Sequence, residues 1–224
     1  MSLVQVLPEL RAGGGAQMAF DTGLLATAER VVARSYTWAP PALSIGKFQR
    51  VQLDGPLPFD VVRRPTGGRA LLHGEDFEWS FAVAFPPGAF GAESRRDLEP
   101  PYRLVSGAFR EALEELGVAA ESGRRGTYQR SPWCHASALE HDLLVAGEKV
   151  VAIAQARSDG RVLVHGSVLE RRPSRHLLET AGKLLGQSWS GVGLSGAGIA
   201  RPRAAVWRSF LARLELGIQQ AAAP

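Results

Sequence analysis

The sequence predicts an α+β fold: a mixed or antiparallel β-sheet with helices packed on it, as a single domain over residues 1–224. Three observations carry this expectation. Short β-branched or aromatic runs, bounded by Gly, Pro or Asp-Gly, recur through both halves of the chain. Segments with helical apolar spacing lie between and after them. The 224 residues are 45% hydrophobic, enough for a substantial core, and show neither an internal repeat nor an evident linker.

The elements follow in order. "AQMAFDTGLLATAERVVAR" has Met18, Leu24, Leu25, Ala28 and Val32 near one helical face. Pro40-Pro41 makes a turn before "ALSIGKFQR", a short strand with a glycine kink. "DVVRRPTGGRALLHG" reads as strand, tight glycine turn and second strand, and "FEWSFAVAFP" alternates as a further strand up to Pro86-Pro87. "PYRLVSGAFREALEELGV" is the clearest amphipathic helix, with Gly117 at its C-cap. Around "SPWCHASALE" a strand is expected, then a hairpin at Ala146-Gly147 and a strand from Lys149 to Ala156. Asp159-Gly160 then turns the chain into a strand through His165, since Asp-Gly between apolar runs is a strong hairpin signal. "SRHLLETAGKLLG" and "AVWRSFLARLELGIQ" are expected helices, and the glycine-rich "GQSWSGVGLSGAG" between them a mobile loop.

Composition narrows the function classes. No apolar run approaches the roughly 18 residues of a spanning helix, and no basic flank precedes an apolar segment at the N-terminus. A cytoplasmic protein with neither membrane partner nor signal peptide is expected. The net charge is +4, yet only Lys47, Lys149 and Lys183 are lysines. An arginine-borne basic balance without aromatic-interleaved basic motifs is a poor argument for nucleic acid. Arg95-Arg96, Arg124-Arg125 and Arg171-Arg172 read as solvated surface. The lone Cys134 excludes an internal disulfide and a multi-cysteine zinc site, and no histidine pair stands at ligand spacing with a carboxylate, so no metal is assigned.

The candidate residues each carry two readings. "RRPTGGRALLHG" joins two arginines to Gly67-Gly68, whose backbone N–H groups could cradle an anion; a turn with surface arginines explains it equally well. It matches neither Walker A nor GxGxxG. Cys134 is either a small hydrophobe or a nucleophile, and His135, next to it on a strand, would face the other way. Lys149 either snorkels to water from a strand end or sits near a thiol and favours its thiolate. His73 and His165, each beside a glycine, read singly as satisfied structural histidines.

Together these pieces resemble the biotin/lipoate protein ligase superfamily on its lipoate-protein ligase A side, from about residue 16 to 170. "QMAFDTGLLA" is similar to its opening helix, and "SYTWAPPALSIGKFQR" to its Trp-x-Pro-Pro-x-x-Ser-x-Gly-x-x-Gln segment. "RRPTGGRALLHG" resembles its Arg-Arg-x-Thr/Ser-Gly-Gly signature, "GEKVVAIAQAR" its lysine stretch and "VLVHGSVL" its His-Gly-Ser strand. Five pieces in order are specific where each alone is not. The ATP-dependent ligases usually carry a third glycine and then Gly-Asn. Here Arg69 follows the glycine pair and Gly-Asn is absent, which is similar to the cysteine-dependent octanoyltransferases. Those place their cysteine fifteen residues before the lysine, the separation of Cys134 and Lys149. Two features depart: Ala152 replaces the usual glycine of the lysine motif, and "HDLL" resembles the Asn-Asp-Leu of the ligases.

The resemblance implies a biotin/lipoate ligase catalytic domain, of class II aminoacyl-tRNA synthetase type, as the fold. It implies Cys134 and Lys149 as the catalytic pair, with Arg63, Arg64, Thr66, Gly67, Gly68, Arg69, Ala70, His73, His165 and Gly166 around the substrate. The implied reaction moves an octanoyl group from acyl carrier protein through a Cys134 thioester to a lysine of a lipoyl domain, such as glycine cleavage H protein or a 2-oxoacid dehydrogenase E2. Burying its seven carbons at about 0.8 kcal/mol each is worth on the order of 5 kcal/mol. No cofactor is then needed; ATP and Mg²⁺ enter only in a ligase. A monomer is expected. A lipoyl-domain amidotransferase or a non-catalytic paralogue is the remaining alternative.

Overall fold

A computed structural model describes residues 2–53, 55–91, 97–123, 130–188, 199 and 201–221. Arg95-Arg96, Arg124-Arg125 and most of "GQSWSGVGLSGAG" lie outside them, whereas Arg171-Arg172 is exposed as expected. The elements run β1 (Val4–Val6), β2 (Leu10–Ala12), α1 (Gly14–Thr27), β3 (Val31–Trp38), β4 (Ala42–Ile45), β5 (Asp60–Arg63), β6 (Leu71–His73) and β7 (Glu78–Phe85). After them come α2 (Glu99–Glu115), β8 (Glu121–Ser122), a 3-10 turn (Cys134–Ala136), β9 (Leu143–Val145), β10 (Glu148–Ser158), β11 (Arg161–Leu169), α3 (Arg175–Leu184) and α4 (Arg203–Ala221).

An eight-stranded sheet has the order β1-β3-β7-β11-β10-β9-β8, with β2 paired to β3, and a three-stranded sheet has the order β5-β4-β6. β1 and β2 run parallel to β3; the β3–β7, β7–β11 and β11–β10 pairs are antiparallel. β7 shows why the large sheet is buried on both faces. Trp79, Phe81, Val83 and Phe85 alternate into the core formed with α2 and α4, where Phe109 and Phe210 stack with centroids 3.9 Å apart. Ala82 and Ala84 pack instead with Met18, Leu25, Tyr36 and Trp38 on the α1 side. The small sheet has its own core, in which Leu43, Ile45, Leu72 and Trp133 meet Leu178 and Ala181 of α3.

Both hairpins of the second half form as expected. Ala146 and Gly147 have φ of 51° and 79°, and Asp159 and Gly160 have φ of 49° and 79°, the left-handed pair that suits two-residue turns. Gly117 ends α2 with φ 75°.

Four expectations are corrected. The first helix stops at Thr27, and Val32 belongs to β3, because β-branched Val31 and Val32 pair with β1 and β7. The two strands of "DVVRRPTGGRALLHG" are not a hairpin: β4 inserts between them, parallel to β5 and antiparallel to β6. Cys134 lies on a 3-10 turn, not a strand; one parallel bridge, Ala70 to Trp133, is all the β-pairing there. Lys149 does not snorkel to water, since it is buried at 4% exposure.

Candidate functional site

Residues of both sheets line a cavity of about 240 Å³, bordered by Cys134, Lys149, Asp142, His73 and His165 among others. Met18, Trp38, Leu71, Ile153 and Ala154 give it apolar wall. Cys134 hangs from the small sheet: its N–H donates to the Ala70 carbonyl at 2.8 Å, and the Ala70 N–H donates to Pro132 at 2.9 Å. Lys149 belongs to the large sheet, on β10, where the pairing with β9 shifts register between Lys149 and Val151.

These strands bring Lys149 Nζ to 3.6 Å from Cys134 Sγ. The ammonium also donates to the Cys134 carbonyl at 2.8 Å and pairs with Asp142 Oδ2 at 2.8 Å. Burial pushes the Lys149 pKa down, but the negative charge of Cys134 and of Asp142 outweighs it and holds the group above its ordinary value. Asp142 is fixed in turn, accepting from Leu139 N–H at 2.8 Å and Ile153 N–H at 3.0 Å. The site thus holds a positively charged ammonium 3.6 Å from the sulfur of a half-buried cysteine. His135, next in sequence, is buried. Burial, and then the Lys149 charge, push its pKa down to about 3, which makes it a poor proton acceptor near neutral pH.

The glycine turn is built around Arg64. Its buried guanidinium donates to the carbonyls of Ser44, Gly67 and Arg69 and to Ser44 Oγ, at 2.7–3.2 Å. Among the described residues no carboxylate pairs with it. Burial lowers its pKa, and the charge of Cys134 partly offsets this. Gly68 has φ 92°, and Gly46 packs so closely that a Cβ there would lie 2.1 Å from the Gly68 carbonyl oxygen. Arg69 donates to Ser137 Oγ at 2.9 Å, tying the turn to the segment after Cys134.

Both histidines are held on both ring nitrogens. His165 lies 2.8 Å from Thr66 Oγ1 and 2.8 Å from Asp21 Oδ2. Asp21 also accepts from Arg34 at 2.6 Å and from the Tyr36 hydroxyl at 3.0 Å. Burial raises the Asp21 pKa, and His165 and Arg34 more than reverse this, so the carboxyl is held below its ordinary value. His73 lies 2.8 Å from Ser44 Oγ and 3.2 Å from Glu78 Oε1, and stacks on Trp38 with centroids 4.1 Å apart.

Of the residues expected from sequence, Cys134, Lys149, Arg64, Gly68, Arg69, His73, His165 and Gly166 border the cavity. The other four act behind it. Arg63 donates to the carbonyls of Gly46, Lys47 and Gln49, Thr66 holds His165, Gly67 receives Arg64, and Ala70 carries Cys134. A Cβ at Gly166 would lie 2.2 Å from the Ala152 carbonyl oxygen, so the close backbone approach in this region falls to Gly166. Ala152, in place of the usual glycine, borders the cavity itself. Sequence reasoning missed Asp142, Ser44, Asp21 and Arg34; a carboxylate inside the apolar run "HDLLV" was the available signal for Asp142. Glu99, Glu140 and His141 have ligand atoms within 4.8 Å of one another, and none of the three borders the cavity.

Known proteins are similar to this chain in sequence and in fold. A family model described as lipoyl protein ligase A/B catalytic domain matches residues 15–180. The octanoyltransferase LipM of Staphylococcus aureus is 34% identical over 171 residues, covering 68% of this chain and 60% of that protein. The LipM of an Exiguobacterium species is 36% identical over 151 residues, 60% of this chain and 52% of its own. The chain thus spans little more than half the length of these curated relatives. A crystal structure of lipoate-protein ligase A bound with ATP superposes with a TM-score of 0.72 at 19% identity, over 98% of this chain and 86% of that one. The bi-partite lipoate protein ligase of Thermoplasma acidophilum gives 0.65 at 18%, over 98% and 84%. At such identities these structures establish the fold alone.

Proposed function

The chain belongs to the lipoyl protein ligase A/B catalytic domain family, and on that premise we propose that it is an octanoyltransferase acting through Cys134. The observation that carries this reading is the buried Lys149 ammonium 3.6 Å from the Cys134 sulfur, at the edge of an apolar-walled cavity. The similarity to LipM octanoyltransferases supports the same choice over a ligase. The donor is octanoyl-acyl carrier protein and the acceptor a lipoyl-domain lysine, with no cofactor.

The chemistry follows from the groups present. Cys134 as thiolate attacks the thioester carbonyl of the donor; the donor's thiol leaves and the octanoyl group stays on Cys134. The Lys149 charge offsets the negative charge that is on sulfur before attack and on the carbonyl oxygen after it. The neutral amine of the acceptor then attacks the Cys134 thioester, an amide forms, the C–S bond breaks and the thiolate returns to its place beside Lys149. The same positive charge disfavours an incoming ammonium, so the acceptor enters as the amine. The apolar wall of Met18, Trp38, Leu71, Ile153 and Ala154 would hold the chain, each buried methylene adding about 0.8 kcal/mol.

Intact-mass measurement after incubation with octanoyl-acyl carrier protein tests the reading. The wild type is expected to gain one octanoyl group, and Cys134→Ala none, with turnover to a lipoyl domain falling on the order of 10⁶-fold, as for loss of another enzyme's nucleophile. An unmodified wild type, or an equal adduct on Cys134→Ala, removes the proposal; lipoyl transfer that needs ATP and ignores Cys134 replaces it with a ligase.

A further inference from the structure

Three segments each give residues to the cavity wall, and Asp142 borders it from another: residues 44–53 through Ser44, 63–73 through Arg64, Gly68, Arg69, Leu71 and His73, and 130–137 through Cys134 and Ser137. They contain six cationic side chains, Lys47, Arg50, Arg63, Arg64, Arg69 and Arg130, and no aspartate or glutamate, although the chain holds 22 acidic residues elsewhere. Of the six, Lys47, Arg50, Arg63 and Arg130 are exposed. Within the first segment Phe48 is 83% exposed, the most exposed of the large hydrophobic side chains among the described residues, with Leu53 at 56% in the same loop. The loop that presents it is clamped. Lys47 N–H donates to the Thr66 carbonyl at 2.8 Å, Arg63 Nη1 donates to three carbonyls of the loop, and Gln49 Nε2 donates to Pro132 at 3.1 Å, two residues before Cys134.

An exposed phenylalanine usually collapses onto its own chain to leave water. Here four hydrogen bonds hold the loop backbone to Thr66 and Arg63, and the Gln49 side chain ties it to the cysteine segment, so the backbone beneath Phe48 has little further entropy to lose on binding. An aromatic anchor amid cations of one sign is complementary to an acidic protein surface with an apolar patch.

We infer that this rim docks the acceptor: an acidic domain with an apolar patch beside its modified lysine. The inference rests on the acyl-transfer reading above. Reach selects the acceptor over the donor. A lysine side chain is four methylenes long, so its domain must press against the rim for the amine to meet the Cys134 thioester. An acyl carrier protein presents its thioester on a far longer prosthetic arm and can stand off.

The two half-reactions separate the possibilities. Wild type, Phe48→Ala, Phe48→Leu and Arg50→Glu are each acylated with octanoyl-acyl carrier protein, followed by intact mass. Each is then mixed with increasing glycine cleavage H protein in single-turnover transfer. Acylation of Cys134 is expected to stay within about twofold in all four. Transfer is expected to need about tenfold more H protein to half-saturate for Phe48→Ala and Arg50→Glu, with Phe48→Leu largely restored and wild-type transfer weakening as salt rises. Unchanged transfer in acylated Phe48→Ala and Arg50→Glu overturns the inference. Slowed acylation with normal transfer overturns it in favour of the donor. No adduct on wild type fails the acyl-transfer reading itself, a separate result that takes the inference with it.

Discussion

Two buried sets of charges reach the cavity, one through His165 and one through Asp142 and Lys149. On the α1 side, Asp21 is shared among Arg34, Tyr36 and His165, and His165 passes the connection to Thr66 of the glycine turn. Each of these groups has its partner, and Arg34 further donates to Gln17 and lies 3.8 Å over the Tyr36 ring. On the β10 side, Asp142 and Lys149 make a comparable pair, but the third member of the set is a half-buried cysteine that accepts from Lys149 at 3.6 Å and borders the cavity. The first set is saturated and holds shape. The second is saturated except where a substrate can enter, and holds charge next to an open atom. On the proposed acyl-transfer reading, buried ionic groups of similar cost serve positioning on one side and chemistry on the other.

Substitutions on the two sides separate these roles. Lys149→Met should have the largest effect on chemistry, slowing Cys134 acylation on the order of 10²-fold or more per folded molecule in rapid-mixing mass spectrometry. It also strands Asp142, so melting should fall as well. Asp21→Asn should do the reverse: removing one partner from a buried pair costs on the order of 3–5 kcal/mol, about 10 °C of melting temperature for a chain this size. Its acylation rate per folded molecule should stay within about tenfold. If Asp21→Asn matched Lys149→Met in lost chemistry, the distinction between the two sets would fail.

A smaller effect concerns His135. Its pKa of about 3 in the folded chain lies below the ordinary 6.5, so between those values the unfolded chain binds a proton that the folded chain does not. Stability is therefore lost as pH falls from 6.5 toward 3, with a slope from this group approaching about 1.4 kcal/mol per pH unit. Asp21, held below its ordinary value, adds loss only at the acid end, as pH falls below 3.8. His135→Leu should flatten the melting-temperature profile between pH 6 and about 4. An unaltered profile would mean that the imidazole is not the group titrating there.

Local chemistry made much of this legible in the sequence. The Asp159-Gly160 and Ala146-Gly147 turns, the Gly117 cap and the alternation of β7 are each fixed by neighbouring residues, and each appears where expected. Cys134 and Lys149 could be paired because a resemblance supplied what spacing alone did not. What stayed hidden depends on contacts between distant segments. The insertion of β4 between β5 and β6 is invisible to a pattern that reads a glycine turn as a hairpin. The reach of Asp21 to His165, 144 residues away, has no local signature either. Nor does the 3-10 turn at Cys134, which the Ala70 backbone imposes from another segment.

That tether has a consequence for how the pair is held. The sulfur is carried by the small sheet, through Ala70, and its ammonium by the large sheet, on β10. Neither half alone contains the pair, so the 3.6 Å approach of ammonium to sulfur exists only where the two sheets have met. A substitution at that junction would move one member against the other while leaving both side chains in place.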